Sequence, residues 1–420
     1  MSDSARPATA AILTLGCKLN IADSEALARR LRDAGWSVVD RLGNVDAVVV
    51  NTCSVTGMAD QKSRHLVRLA RRQAPNATVA LTGCLLETAA PEAIDLLNAG
   101  LVYRQVDQVA LADELIRLHP VQTPVSVSRG LKTRAFISAQ EGCNDVCAFC
   151  IIPKTRGRER SKTVEAVVAE AQAGEGEGVQ EIVITGTQLG AYGREFGYRS
   201  PYRLIKGLLQ ETSVPRIRMS SVQPQDLSGE LIDLWQDARL CRHFHLALQS
   251  GSQATLQRMR RRYTQDEYRR AVEHLRGAIP GVAITTDVIV GFPGETGAEF
   301  EESYQFCREM AFAGIHVFPY SQRSGTLAYK MASQLPEPAK KERVHRLIDL
   351  ATEMSAAYRG RDVGREVEVL WENQREGMWE GLTDTYIRVR ASSGADLKNR
   401  ITTARITGLA DDGLSGEVTP

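Results

Sequence analysis

The first 118 residues place their apolar positions in short unbroken runs, each followed by a helical stretch. "AAILTLGC" ends at Cys17, and "SEALARRLRDAG" then reads as an amphipathic helix with a serine cap and a closing glycine. "DAVVVNTC" ends at Cys53 and leads into the helix "QKSRHLVRLARRQ"; "ATVALTGC" ends at Cys84. Val/Leu/Ile runs alternating with helices predict a parallel sheet. The cysteine spacings are 36 and 31, about one strand–helix unit each. Each cysteine falls just past the carboxyl end of its strand, the edge at which open α/β sheets bind ligands. The pattern therefore predicts three thiols converging in one crevice. Three unrelated cysteines, packed as small hydrophobes, are the alternative.

"HPVQTPVSVSRGLKTR", with Pro120 and Pro124, reads as a linker. Six more strand candidates follow: "RAFISAQ", "EIVITGT", "RIRMSSV", "HFHLALQ", "AITTDVIVGF" and "GIHVFPY". Helical stretches such as "TVEAVVAEAQAGEGEG" and "AEFEESYQFCREMA" lie between them. Such a series predicts a partial (β/α)6 barrel with its chemistry on the loops after the strands. "QLPEPAKKER" breaks the pattern, and one helix runs to about Tyr358. In the last sixty residues "REVEVLWEN", "GMWEGLTDTYIRVRA" and "NRITTARITG" read as short strands of a small β-barrel. The expected class is α/β: a parallel α/β domain over 8–120, a barrel core over 129–359 and a β-barrel over 360–420.

Composition narrows this little. Lys+Arg 52 against Asp+Glu 51 gives a net charge of +1, which neither implies nor excludes a nucleic acid. "MSDSARPATA" lacks a basic start with an apolar stretch behind it, and no apolar run approaches the roughly 18 residues of a membrane span. The chain reads as soluble and cytoplasmic. Eight cysteines in such a chain favour metal binding or catalysis over disulfides.

Three of those cysteines, Cys143, Cys147 and Cys150, share the first loop of the second series at C-x3-C-x2-C spacing. No cysteine or histidine follows for ninety residues. Thiolates suit iron–sulfur clusters or zinc. A 4Fe–4S cluster usually takes four cysteines, so three leave one iron open to chelate a small molecule. A structural zinc, in a non-enzymatic zinc-containing RNA-binding protein, is the alternative.

Cys143, Cys147, Phe149 and Cys150 resemble the C-x3-C-x-aromatic-C mark of the radical S-adenosylmethionine superfamily. Along its whole length the chain resembles the methylthiotransferases of that superfamily. "LGCKLN", "NTCSVTGMADQKSR" and "LTGC" are similar to their N-terminal domain. "GCNDVCAFCIIPKTRGRERS", "HLALQSGSQATLQRMRRRYT" and "TTDVIVGFPGET" are similar to their radical core, and "EGLTDTYIRVRA" to their C-terminal TRAM domain. The resemblance implies two 4Fe–4S clusters, one on Cys143, Cys147 and Cys150 that binds S-adenosyl-L-methionine, and one on Cys17, Cys53 and Cys84 that carries the sulfur. It implies two uses of S-adenosylmethionine, one to methylate that sulfur and one to supply the radical that removes hydrogen from the substrate. It also implies an electron donor such as flavodoxin or ferredoxin, and a sulfur source.

Loops after the later strands are placed to cradle the cofactor. Gly186, Thr187 and Gln188 follow strand two; Ser220 and Ser221 end strand three; Gln249 and Ser250 end strand four, with Gly251 permitting close approach; Asp287 and Gly291 lie on strand five. "GFPGET" lacks the Lys-Ser/Thr of a phosphate loop and is not read as one. His243 and His245 share one face of strand four and read as packing, as do Cys241 and Cys307.

Three basic groups suit a polyanion: Arg129 to Lys162, with eight Lys/Arg against three acids; "RMRRRY"; and "KSRHLVRLARR". The terminal segment from Arg361 is net acidic, with eight Lys/Arg and eleven Asp/Glu. Alternation in "TYIRVR" still predicts Tyr386, Arg388 and Arg390 on one side, fit for stacking and phosphate contact. Family branches act on the adenosine 3′ to the anticodon in tRNA or on an aspartate of a ribosomal protein. "GCKLN" most resembles the MtaB-type branch, whose substrate is N6-threonylcarbamoyladenosine in the anticodon stem-loop, modified at carbon 2. The rival branch acts on isopentenyl-adenosine and, by resemblance, has glutamine where this chain has Lys18. Lys18, and Arg323 after strand six, are the candidate partners of the threonylcarbamoyl carboxylate.

Overall fold

The computed structural model describes residues 7–121 and 133–419; Pro124 and the expected boundary at 129 lie outside them. Strands Thr9–Thr14 (β1), Ser37–Val39 (β2), Ala47–Thr52 (β3), Thr78–Gly83 (β4) and Leu101–Val102 (β5) form a parallel sheet in the order β2-β1-β3-β4-β5. The central β3, "AVVVNT", is buried throughout, as a strand covered on both faces must be. Sequence order reverses between β1 and β3, a switch point of the kind at which open sheets bind ligands. The short edge strands β2 and β5 carry too few residues to stand out as apolar runs.

The first helix spans Lys18–Asp33, starting directly after Cys17 rather than at the expected serine cap. Ser24 lies inside this helix, where its hydroxyl accepts from Thr14 Oγ1 at 2.8 Å and Asn51 Nδ2 at 3.0 Å. Asn20, Asp23 and Ser24 interrupt the apolar stripe because they are buried against polar partners. The second helix, Gly57–Gln73, is capped by the Thr56 hydroxyl, which accepts from Ala59 N.

All six expected core strands are present: Arg134–Glu141 (β6), Glu181–Gly186 (β8), Arg216–Met219 (β9), His243–His245 (β10), Ala283–Val290 (β11) and Gly314–Pro319 (β12). A two-residue strand, Arg160–Ser161 (β7), pairs antiparallel with β6. Bridges Ile217↔Leu240 and Val222↔Leu246 carry the β7-β6-β8-β9 sheet over to β10-β11-β12. The result is a partial barrel open between β6 and β12. The first helix lies beside β6, where Glu25 accepts from Phe136 N at 3.0 Å.

The long helix Glu337–Gly360 leads to a closed barrel of Glu366–Arg375 (β13), Met378–Thr383 (β14), Arg388–Ser392 (β15), Ile401–Ala410 (β16) and Gly413–Val418 (β17). "GMWEGLTDTYIRVRA" is two strands with a turn between them, not one. Among the described residues no helix is long and apolar enough to cross a membrane.

Candidate active site

The N-terminal cysteines share one sheet edge, where Cys17 and Cys53 are near enough to act electrostatically on Cys84. Cys17 caps the first helix, Cys53 follows β3 and Cys84 follows β4. Gly16 has φ +109°, and a Cβ there would sit 3.1 Å from the Cys53 sulfur, so only glycine lets the β1 loop come this close. Ser63 pins Cys53 to the second helix, accepting from its N–H at 3.1 Å and donating to its carbonyl at 2.9 Å. The Cys17 thiol donates to Asn20 Oδ1 at 3.4 Å. Burial pushes the Cys84 thiol up to about 11, against the opposing pull of the Arg156 guanidinium. Arg156 reaches this crevice from the core loop, donating to Asn20 Oδ1 at 3.0 Å and Asp23 Oδ2 at 2.9 Å.

Cys143, Cys147 and Cys150 occupy the loop after β6. Gly142 turns the chain there at φ +69°, where a Cβ would meet Arg158 O at 2.0 Å. Ala148 N donates to Met259 O at 2.9 Å, and Ala148 O accepts from Ala328 N at 2.8 Å, which clamps the loop between two others. Arg261 donates to the Cys147 sulfur at 3.3 Å and to Gln223 Oε1 at 2.8 Å. Burial pushes the Cys143 and Cys150 thiols up to about 12.

A buried amide network lies beside this loop. Gln140 Oε1 accepts from Gln188 N at 2.8 Å, Gln223 Nε2 donates to Gln188 Oε1 at 2.6 Å, and Gln223 N donates to Asp226 Oδ2 at 3.0 Å. Of these, only Gln188 stood out in the sequence. Gln140 lies at the end of β6, and Gln223 caps the turn Pro224–Asp226 after β9; a position just past a core strand is the signal that would have found them. Arg156 and Arg261 were hidden among surface-like basic residues.

Deeper in the barrel the pleat turns Arg134, Glu181, Arg218, His243 and His245 inward, while their neighbours Ala135, Ile182, Ile217 and Phe244 pack against the outer helices. Lys18 enters this lumen, its Nζ 5.3 Å from the Tyr386 ring centroid. Burial lowers its pKa below the ordinary lysine value, and among the described residues it has no carboxylate partner.

Comparison with known proteins agrees with this arrangement. Residues 137–307 match the Radical SAM superfamily, and residues 9–101 match Uncharacterized protein family UPF0004. The threonylcarbamoyladenosine tRNA methylthiotransferase MtaB of Bacillus subtilis is 36% identical, over 95% of this chain and 94% of its own. The chain belongs to the radical S-adenosylmethionine tRNA methylthiotransferases. A tRNA-2-methylthio-N(6)-dimethylallyladenosine synthase of Caldicellulosiruptor saccharolyticus is 32% identical, over 97% of this chain and 92% of its own. The radical S-adenosylmethionine methyltransferase TsrM of Kitasatospora setae shares the fold, with a TM-score of 0.53 at 15% identity over 74% of this chain and 73% of its own.

A methylthiotransferase of this family uses a 4Fe–4S cluster and S-adenosylmethionine, and the core residues fit both. The loop offers three free thiols and no fourth, the donor set of a cluster with an open iron. The hydroxyls of Thr187 and Ser220 are buried at the ends of β8 and β9 without partners among the described residues, as a cradle for a polar cofactor requires. Phe149 packs beside the cluster of Met259, Phe292 and Tyr320, and Gly186 lies against Gln140. Ser221 is half-buried after β9.

Other candidates are already engaged. Ser250 Oγ accepts from Ser252 N, and Gly251 approaches Ser303 O of a helix. Gln249, at φ +67°, gives its N–H to Asp287 O at 2.8 Å. A Cβ on Gly291 would strike Lys340 Cγ at 2.6 Å, so the glycine there serves helix packing. Asp287 pairs with His245 at 3.2 Å. Arg323 is no free carboxylate receptor: it bonds Asp60 Oδ2 and Ser54 Oγ, both at 2.7 Å, and ties the core to the N-terminal sheet.

The expected shared face of Tyr386, Arg388 and Arg390 is absent, because Tyr386 belongs to the turn before β15, with φ +68°. Its ring faces the base of the core barrel, 5.0 Å from the His243 ring. Arg388 pairs with Asp412, and Arg390 with Glu380 at 2.8 Å. In "RMRRRY", Arg258 pairs with Glu299 at 2.6 Å, Arg261 turns inward and the exposed Arg262 pairs with Asp145 at 2.8 Å, while Arg260 is exposed.

Proposed function

We propose that this enzyme transfers a methylthio group to carbon 2 of N6-threonylcarbamoyladenosine at position 37 of tRNA. Lys18 carries the choice of substrate. The threonylcarbamoyl group ends in a carboxylate, whereas an isopentenyl group is neutral and apolar. A half-buried ammonium with no carboxylate at ion-pair distance suits the former, since a desolvated charge is costly unless paired. Relatives named for each substrate lie at 36% and 32% identity, too close to choose between them.

In this reading Cys143, Cys147 and Cys150 hold the cofactor-binding cluster, and Cys17, Cys53 and Cys84 hold a second 4Fe–4S cluster. Together with S-adenosylmethionine these groups supply one-electron cleavage of a C–H bond and the sulfur to be inserted, which no side chain provides. The chain supplies placement and charge. Thr187, Gln188 and Ser220 bind the polar end of the cofactor, with Gln140 and Gln223 fixing Gln188. Arg261 sets a positive charge at Cys147, and Arg156 sets one in the N-terminal crevice. The exposed basic side of the helix Gly57–Gln73, with Lys62, Arg68 and Arg72, suits the backbone of the anticodon stem-loop. An electron donor such as flavodoxin or ferredoxin and a sulfur source complete the reaction.

Mass spectrometry of tRNA nucleosides from a strain lacking the gene tests the reading. The expected change is loss of 2-methylthio-N6-threonylcarbamoyladenosine with accumulation of its precursor. Loss of the 2-methylthio isopentenyl nucleoside instead would assign the enzyme to the rival branch.

A further inference from the structure

We propose that Lys18, Arg134 and Tyr386 form a carboxylate site at the floor of the core barrel, built from all three parts of the chain, which receives the acidic end of the N6 substituent. The proposal rests on the substrate reading above and adds the receptor. Lys18 comes from the first helix, through the open side of the barrel. Arg134 is the first residue of β6, and Tyr386 sits in a turn of the C-terminal barrel.

The cations at this floor are not equally satisfied. Arg218 is satisfied: Glu181 accepts from it at 2.8 and 3.0 Å, and the carbonyls of Asp384 and Thr383 take two further bonds. Arg134 gives Nε and Nη2 to Glu372 at 2.6 and 3.3 Å, and its Nη1 is buried with no acceptor among the described residues. Among the described residues Lys18 has no carboxylate at ion-pair distance, and Glu181 acts on it from further off. Of the cations around the Tyr386 ring, Arg134 and Arg218 each have a carboxylate at ion-pair distance, Glu372 and Glu181, and Lys18 has none among the described residues. Asp287 does not supply the missing charge at the floor: it lies further along β11, bonded to His245. A ligand with one carboxylate gives Lys18 a counter-charge and Arg134 Nη1 an acceptor.

Tyr386 closes the floor. Its ring centroid lies 4.6 Å from Arg218 Cζ, 5.3 Å from Lys18 Nζ and 5.9 Å from Arg134 Cζ, so three cations gather around one aromatic ring. A tyrosine at φ +68° is held against its backbone preference by its surroundings, as residues at functional sites often are. The floor is also in register with the chemistry. Lys18 directly follows Cys17, with Cα atoms about 3.8 Å apart, so a substituent anchored at the lysine fixes the adenine relative to the thiol crevice.

The test is equilibrium binding of the full, anaerobically reconstituted chain to anticodon stem-loops. Position 37 carries N6-threonylcarbamoyladenosine, its carboxamide analogue or unmodified adenosine. Wild type is expected to prefer the carboxylate RNA over the other two by about tenfold or more. Tyr386→Leu should bring that preference to within about threefold, with affinity for the unmodified RNA unchanged, while Tyr386→Phe retains it through the ring. If Lys18→Gln loses the preference while Tyr386→Leu keeps it, the substrate reading stands and the three-part floor is overturned. If Tyr386→Leu does not fold, the wild type decides: equal binding of carboxylate and carboxamide overturns the site. Equal binding of all three RNAs would overturn the substrate reading as well.

Discussion

Arg156 Nη2 lies 2.9 Å from Asp23 Oδ2, a buried ion pair joining the loop of the core cysteines to the first helix of the N-terminal sheet. Burial pushes the Asp23 carboxyl up to about 6 even beside this guanidinium. Arg156→Gln strands that carboxylate and should lower unfolding stability by about 3–5 kcal/mol. Arg156→Gln with Asp23→Asn removes both charges and should recover part of the loss. Urea titrations of both variants check this. A double variant no more stable than the single one would mean that the arginine acts through something other than Asp23.

The strand-end cysteines were legible because unbroken Val/Leu runs leave little choice of element, and the edge of a parallel sheet has one chemical face. All six core strands were readable for the same reason. The start of the first helix was not, since Asn20, Asp23 and Ser24 are polar residues turned into the interior. The Tyr386 face failed because alternation holds only within a strand, and a left-handed turn residue resets it. Arg156 and Arg261 could not be told from solvated arginines, because burial of a charge depends on partners distant in sequence, such as Asp23 and Gln223.

Two separated thiol triplets predict two clusters. Anaerobic reconstitution should give about eight iron atoms per chain, and replacing Cys143, Cys147 and Cys150 together by alanine should leave about four. Iron and sulfide analysis measures this. Four iron atoms in the wild type, or zinc in their place, would contradict the assignment.

Lys18→Gln should weaken turnover on threonylcarbamoyl-tRNA by at least about tenfold, the lower range for a charge-assisted bond, with iron content unchanged. Loss of a phosphate contact would instead weaken binding of modified and unmodified tRNA alike. An unchanged ratio of those two affinities would therefore remove Lys18 from substrate recognition.

Acid should act on the floor of the barrel. Burial alone would raise the Glu181 carboxyl, but Arg218 outweighs it, and the net shift is below the ordinary 4.5. A carboxylate lowered in the folded state contributes stability that is present above its unfolded value and lost as pH falls through the folded one. The enzyme should therefore lose stability below about pH 4.5, and Glu181→Gln should flatten this part of the curve while destabilising the neutral protein. Unfolding titrations across acid pH measure both. Parallel curves for variant and wild type would show that other carboxylates set the acid limit.

The two triplets should also separate by function. Cys147 accepts a bond from Arg261, which also bonds Gln223 of the network that holds Gln188; the hydroxyls of Thr187 and Ser220 at the ends of β8 and β9 have no partner among the described residues. Cys53 is bonded instead to Ser63 of the N-terminal sheet domain, with Gly16 against its sulfur. A cofactor cradled by the ends of β8 and β9 depends on the first thiol and not on the second. Cys147→Ala should accordingly abolish reductive formation of 5′-deoxyadenosine. Cys53→Ala should retain that cleavage and lose the methylthio product. Cleavage assays with a chemical reductant, run beside nucleoside analysis, separate the two. Circular dichroism must first show both variants folded, because Cys53 is buried in the sheet edge. A folded Cys53→Ala that cleaves no cofactor would mean that the two sites depend on each other, and Arg156, which reaches from the core loop to the first helix, would be the first residue to test as the link.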